Sequence, residues 1–153
     1  RDGTRAGPEG TMRRSEGTKR EAAVRLKVPF YDLDPMQVVF HGNYLKYFER
    51  ARQALFDGAG LDPYRLPRDG DVVFPVVRSQ VKHVRPLRFR DEFDCTALLV
   101  DARSKIVIDF EIRLVADGTL CARGRTEQVA VRLPALALEL RFPQDVRRAL
   151  GAE

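Results

Sequence analysis

Two carboxylates, a histidine and a glycine crowd one run of the chain. It reads Tyr31-Asp32-Leu33-Asp34-Pro35-Met36-Gln37-Val38-Val39-Phe40-His41-Gly42-Asn43-Tyr44. Asn43 is a good helix N-cap candidate. A helix start presents unpaired N–H groups and a partial positive charge, so a substrate carbonyl placed near His41 and Gly42 would be polarised. One such donor is typically worth about 3 kcal/mol to a developing oxyanion. Gly42 carries no side chain to block approach to that backbone. Asp34 lies on the turn leading into the helix and could face the same carbonyl from the other side. A carboxylate opposite an oxyanion hole is a workable acyl-transfer site. His41, with an ordinary pKa of about 6.5, could orient substrate or water. Each residue also has a plainer use. Asp34 before Pro35 can simply form a turn, Asp32 can support that turn by hydrogen bonds, and His41 can pack ahead of the helix.

These residues need a helix behind them and a sheet beneath it. From Tyr44 the apolar residues recur at Tyr44, Phe48, Ala51 and Leu55, flanked by Tyr47 and Ala54, which is helical spacing. Lys46, Arg50, Gln53 and Asp57 take the opposite side. Gly58 and Gly60 end the helix and Pro63 follows. About fifteen residues give roughly 22 Å. Before this helix, residues 20–31 alternate as a half-buried strand, with Val24, Leu26, Val28 and Phe30 on one face. Pro29 suits a terminal or edge position. After it, residues 72–85, 93–101, 106–115 and 119–133 read as strands. The third is the cleanest, with Ile106, Ile108, Phe110, Ile112 and Leu114 facing one way. Asp117-Gly118 is a hairpin signal. Residues 143–150 form a short closing helix begun by Pro143. The links between the later strands are too short for parallel crossovers. The fold class expected is therefore α+β: one long helix wrapped by a curved, largely antiparallel five-stranded sheet, within a single domain over 20–153.

Composition removes several classes. The net charge is +5 over 153 residues, but residues 1–20 hold +3 of it, so the body is nearly balanced and no nucleic-acid partner is expected. Residues 1–19 lack periodicity and read as a disordered extension, with Met12 a candidate natural start. The two cysteines, Cys95 and Cys121, lie far apart in strand-like runs, without a CxxC or a Cys/His cluster. This suits reduced thiols in a cytoplasmic protein and no metal site. No apolar run approaches a membrane span. None of the three serines, Ser15, Ser79 and Ser104, lies in a GxSxG elbow, and the glycine-rich nucleotide loops are missing.

The run from Asp32 to Tyr44, continued by Tyr47-Phe48-Glu49-Arg50-Ala51-Arg52, resembles the signature of hotdog-fold acyl-CoA thioesterases of the 4-hydroxybenzoyl-CoA thioesterase branch. The order of strands and helix agrees over roughly residues 20–133. The resemblance implies hydrolysis of an acyl-CoA, with Asp34 as nucleophile or general base and backbone amides near His41 and Gly42 on the carbonyl. It implies no cofactor, coenzyme A being part of the substrate. It also implies a homodimer formed by sheets joining edge to edge, with active sites at the interface, or a tetramer of such dimers. Gln37 stands where many members have Gly, so the turn or the acyl pocket can differ here. Tyr44 is core or pocket wall. Lys82, Arg85, Arg88 and Arg90 cluster around the turn at 85–91, where they could bind the phosphates of coenzyme A or serve as a solvated basic edge. Glu49 is the reserve acid. Two rival readings are a dehydratase or hydratase on the same fold, and a non-catalytic binder of acyl thioesters or of an acyl carrier.

Overall fold

The structure is a computed structural model, described here over residues 20–152. The expected N-terminal extension lies outside the described residues. The chain runs through β1 (Glu21–Lys27), a 3-10 turn (Phe30–Asp32), α1 (Asn43–Gly58), β2 (Val72–Val73), β3 (Val76–His83), β4 (Glu92–Ala102), β5 (Ile106–Leu114), β6 (Leu120–Gln128), β7 (Ala130–Arg132), β8 (Ala137–Glu139) and α2 (Gln144–Ala149). Five strands form one sheet in the order β1-β4-β5-β6-β3, with every neighbouring pair antiparallel.

The alternation in β5 decides which face meets the helix. Ile106, Ile108, Phe110 and Ile112 are fully buried, and Phe110 stands opposite Ala97 on β4 and Gly124 on β6. The stripe of α1 lies on this face, burying Tyr44, Tyr47, Phe48, Ala51 and Leu55. Phe48 stacks on Phe110, ring centroids 4.5 Å apart and planes 10° from parallel. Gly124 leaves the room for it. Just past the helix, Gly60 adopts φ +73°, while the Leu61 N–H reaches back to the Phe56 carbonyl at 3.0 Å. That is the left-handed glycine stop.

One charged side chain crosses the core. Arg52 is only 3% exposed. Its Nη2 donates to Thr126 Oγ1 at 2.6 Å, its Nη1 pairs with Glu49, and its guanidinium lies 5.6 Å from the centre of the Phe110 ring. Burial lowers its pKa from the ordinary arginine value. Two turns above Tyr44 and one above Phe48, Arg52 shares their face of the helix, a spacing legible in the sequence.

Three local expectations need correction. Phe30 does not continue the buried face of β1; the chain turns there, and Phe30 is 73% exposed. The long strands expected at 72–85 and 119–133 each divide. Pro75 has no N–H to give the ladder, so β2 and β7 separate from β3 and β6 and join β8 in a second, three-stranded sheet. Asn43 is not the N-cap. Gly42 holds that position, and Asn43 Nδ2 donates instead to the Asp32 carbonyl at 2.9 Å.

Candidate active site

Between the 3-10 turn and α1 the chain forms a small hairpin. Leu33 bridges Val39, the Asp34 N–H donates to the Val38 carbonyl at 2.8 Å, and the Gln37 N–H donates to the Asp34 carbonyl at 2.9 Å. Pro35 suits the second position of such a turn, and a left-handed residue closes a three-residue hairpin loop. Gln37 supplies it with φ +62°, where glycine would meet no strain. A non-glycine residue there costs roughly 1–2 kcal/mol. Gln37→Gly is expected to raise unfolding free energy by about 0.5–1 kcal/mol, the gain being reduced by the greater freedom of glycine in the unfolded chain. Urea denaturation of the two proteins measures this directly.

The hairpin sets the distance between acid and helix start. Asp34 is level with Val38, and the Asp32 carbonyl accepts the Phe40 N–H at 2.9 Å. Two strand residues therefore separate the level of Asp34 from that of Phe40, roughly 7 Å. The same Asp32 carbonyl takes Asn43 Nδ2, which ties α1 to the base of the hairpin. Asp34 is half-buried. Its Oδ1 accepts the Met36 N–H at 2.8 Å, and Oδ2 has no hydrogen-bond partner among the described residues. One oxygen is held and the other is available.

At the helix start the Asn43 N–H is taken by the Phe40 carbonyl and the Tyr44 N–H by the His41 carbonyl. The N–H groups of His41 and Gly42 have no acceptor among the described residues, so they remain for a ligand. A Cβ on Gly42 would stand 2.7 Å from the Phe40 ring. The His41 ring is exposed and lies 4.3 Å from that of Phe40.

Asp32 has a separate task. Tyr47 donates its hydroxyl to Asp32 Oδ2 at 2.6 Å. Burial first, then this hydrogen bond and the Asp32 charge, raise the Tyr47 pKa well above the ordinary tyrosine value. The unfolded chain ionises near pH 10 while the folded chain holds the proton. Stability is therefore full below pH 10 and falls above it, by about 1.4 kcal/mol per pH unit for this group. Urea titrations between pH 9 and 11 should show a shallower fall for Tyr47→Phe, with Tyr44 and Tyr64, also raised by burial, carrying the remainder.

The other expected site residues are dispersed. Tyr44 is 2% exposed; its hydroxyl accepts the Leu87 N–H at 3.3 Å and its ring meets His83 edge-on. Arg88 lies beside the hairpin, bridging Val38. The Arg85 N–H donates to the Cys121 carbonyl at 3.0 Å, which places Arg85 just beyond β3. Lys82 pairs with Arg123 and, by the alternation that turns Val81 and Gly124 toward α1, faces the outer side of the sheet. The basic cluster therefore divides, with Arg88 near the hairpin and Lys82 across the sheet. A cavity of about 290 Å³ lies elsewhere, near the C-terminal end of α1, between Leu61, Phe74 and Val146. Among the described residues no group of three or more His, Cys, Asp or Glu side chains could hold a metal ion. No helix among them is long and apolar enough to cross a membrane.

With this geometry in hand, the relationships are consistent. The family model of the thioesterase-like superfamily matches residues 28–150, and the chain belongs to that superfamily. Its fold is the hotdog, shared with a 1,4-dihydroxy-2-naphthoyl-CoA thioesterase from Synechocystis at TM-score 0.78 and 21% identity, over 85% of this chain and 95% of that one. A hypothetical protein from Thermus thermophilus superposes at TM-score 0.74 with 30% identity, over 84% of this chain and 96% of that one. The 1,4-dihydroxy-2-naphthoyl-CoA hydrolase of Rippkaea orientalis is 28% identical over 102 residues, 65% of this chain and 74% of that protein.

Proposed function

We propose that this protein hydrolyses an acyl-CoA thioester to the free acid and coenzyme A. The observation that carries the proposal is the short hairpin that holds Asp34, with one oxygen available, about two strand residues from the level of Phe40, which leads directly into the unengaged N–H groups of His41 and Gly42. A thioester carbonyl between them would have its oxygen on the two amides and its carbon toward Asp34. Asp34 either attacks that carbon, expelling the thiolate and leaving a mixed anhydride that water cleaves, or takes a proton from the attacking water. In both routes the tetrahedral oxyanion forms where the helix start can stabilise it. No cofactor enters either route, coenzyme A arriving as part of the substrate.

The same proposal includes a homodimer, with tetramers of dimers as the next assembly. Strand β3 is a sheet edge exposing Val76 and Val77, and an unpaired edge of this kind is suited to joining another sheet. It also includes a cytoplasmic setting, in keeping with two free, buried cysteines. The deciding experiment offers the purified protein a panel of short, long and aromatic acyl-CoAs, including 1,4-dihydroxy-2-naphthoyl-CoA, and follows thiol release. Turnover of at least one class is the expected result. Binding without thiol release across the whole panel would replace hydrolysis by a carrier or binding role.

A further inference from the structure

The second sheet ends on an open edge. Its strands run β2-β7-β8, so β8 has a neighbour on one side only among the described residues. Val73 stands opposite Val131, and Val131 stands opposite Leu138. Directly opposed residues share a face of a sheet. Val73, Val131 and Leu138 therefore form one apolar row across all three strands. Val73 is half-buried and Val131 buried, but Leu138, where the row reaches the edge, is 62% exposed. Leu136 and Leu140 lie at either end of β8 and are 66% and 81% exposed. Leu136 adopts φ +56°, a conformation that glycine takes at less cost, so the chain accepts strain to keep an exposed leucine there. Edge strands are ordinarily blunted by lysine, proline or an inward charge. The leucine face of β8 has none of these. Glu139, the one charged residue of β8, lies on the opposite face with Ala137, where Arg132 Nε on β7 holds it at 2.6 Å.

The occupant that fits this edge is a second copy of the same strand. An antiparallel partner centred on Leu138 sets that residue against its own counterpart, and Leu136 beside Leu140 of the second copy. The apolar row then continues without a break, Val73, Val131 and Leu138 being followed by the same three residues in reverse. Glu139 falls opposite Ala137 of the second copy, so no like charges face one another directly. The relation is twofold, each chain offering the other the same surface, and the paired strands add backbone hydrogen bonds. A peptide of another sequence would have to bring apolar residues at this spacing, which a second copy already carries. The contact is small. Three leucines per chain fall well below the roughly 1,200 Å² that a stable interface buries. It therefore joins units that each present two such edges, as a β3-joined dimer does.

We infer that β8 is a second self-association edge, through which two β3-joined dimers meet by antiparallel pairing of β8 with β8 about Leu138. The inference takes the β3 dimer from the proposed function and is independent of the reaction catalysed. Its first test oxidises Leu138→Cys with copper phenanthroline. Cys95 and Cys121 are buried and do not compete. Opposed residues of an antiparallel pair stand about 4.5–5.5 Å apart at Cα, within reach of a disulfide. Covalent dimer should form roughly tenfold faster than in Leu66→Cys, whose position is 88% exposed but lies outside the strands. The second test compares wild type with Leu138→Lys by sedimentation at the same protein concentration. The wild type should show twice the mass of the lysine variant. The melting temperature should not change, because the side chain already stands in solvent. Equal cross-linking of the two cysteine variants would overturn the pairing. Equal mass for wild type and Leu138→Lys would also overturn it, and would assign the leucines to a partner of another sequence. Sedimentation of Leu138→Lys as a monomer would instead remove the β3 dimer. The cross-linking comparison would still decide β8.

Discussion

Asp34→Asn should lose about a thousandfold in kcat, the scale of a missing catalytic carboxylate, while the protein keeps its fold and its assembly. The substitution is close to isosteric, and its side-chain oxygen can still accept the Met36 N–H that Asp34 Oδ1 accepts now. The hairpin and the helix start should therefore hold position, and the melting temperature should stay within about 3 °C, less than 1–2 kcal/mol for a chain of this size. What disappears is the charge on the second oxygen, the one without a partner among the described residues. Neither nucleophilic attack nor proton abstraction survives that loss, so the experiment does not depend on which route operates. Thiol release by the purified variant, with circular dichroism as the folding control, measures both halves. Near-normal turnover in a folded Asn variant would remove Asp34 from the chemistry. Glu49, half-exposed on α1 and paired with Arg52, would then be the acid to test.

Gly124→Ala should cost about 3 kcal/mol of stability, at the upper end for overpacking a core, and lower the melting temperature by roughly 10 °C. An added Cβ would run into the Phe48 ring, 2.6 Å from Cζ, and stand 3.0 Å from the Gln80 carbonyl oxygen. The ring has nowhere to withdraw, being 1% exposed and stacked on Phe110. The remaining relief is for α1 to rise off the sheet. That motion reaches the candidate site, because Asn43 and the amides of His41 and Gly42 travel with the first turn of the helix while Asp34 stays on the hairpin. Turnover should fall along with stability. Phe48→Leu in the Gly124→Ala background should recover at least half of the lost stability, and a double-mutant cycle isolates the coupling. Simple additivity of the two substitutions would show that the clash is relieved elsewhere.

Much of this architecture is readable from local pattern. The alternation of Ile106 to Leu114 fixes a strand and its buried face, and the spacing of Tyr44, Phe48, Ala51 and Leu55 fixes the helix and its stripe. Each signal depends on the two periods of the backbone, and neighbours along the chain suffice to express them. Where the reading failed, a non-local partner decided. Residues 72–85 are rich enough in Val to read as one strand, but Pro75 divides them, its carbonyl taking the N–H of Val129 where β6 and β7 part. Leu136, Leu138 and Leu140 alternate as a strand would, yet all three stand exposed, Leu138 on β8 and the other two at its ends.

The candidate site divides in the same way. The sequence by itself determined the candidate acid, the turn that carries it and the helix that follows, since Asp34, Pro35 and Gly42 act through residues close in the chain. The tertiary structure alone decided that Gly42 and not Asn43 caps the helix, that Asp32 is occupied by Tyr47, and that Lys82 faces away from the hairpin while Arg88 lies against it. It also decided that Arg52 is buried on Thr126 and that Gly124 sets how closely α1 approaches the sheet. Each of these depends on which residue of one strand stands opposite which residue of another. Register is a property of paired strands, and one strand alone does not contain it.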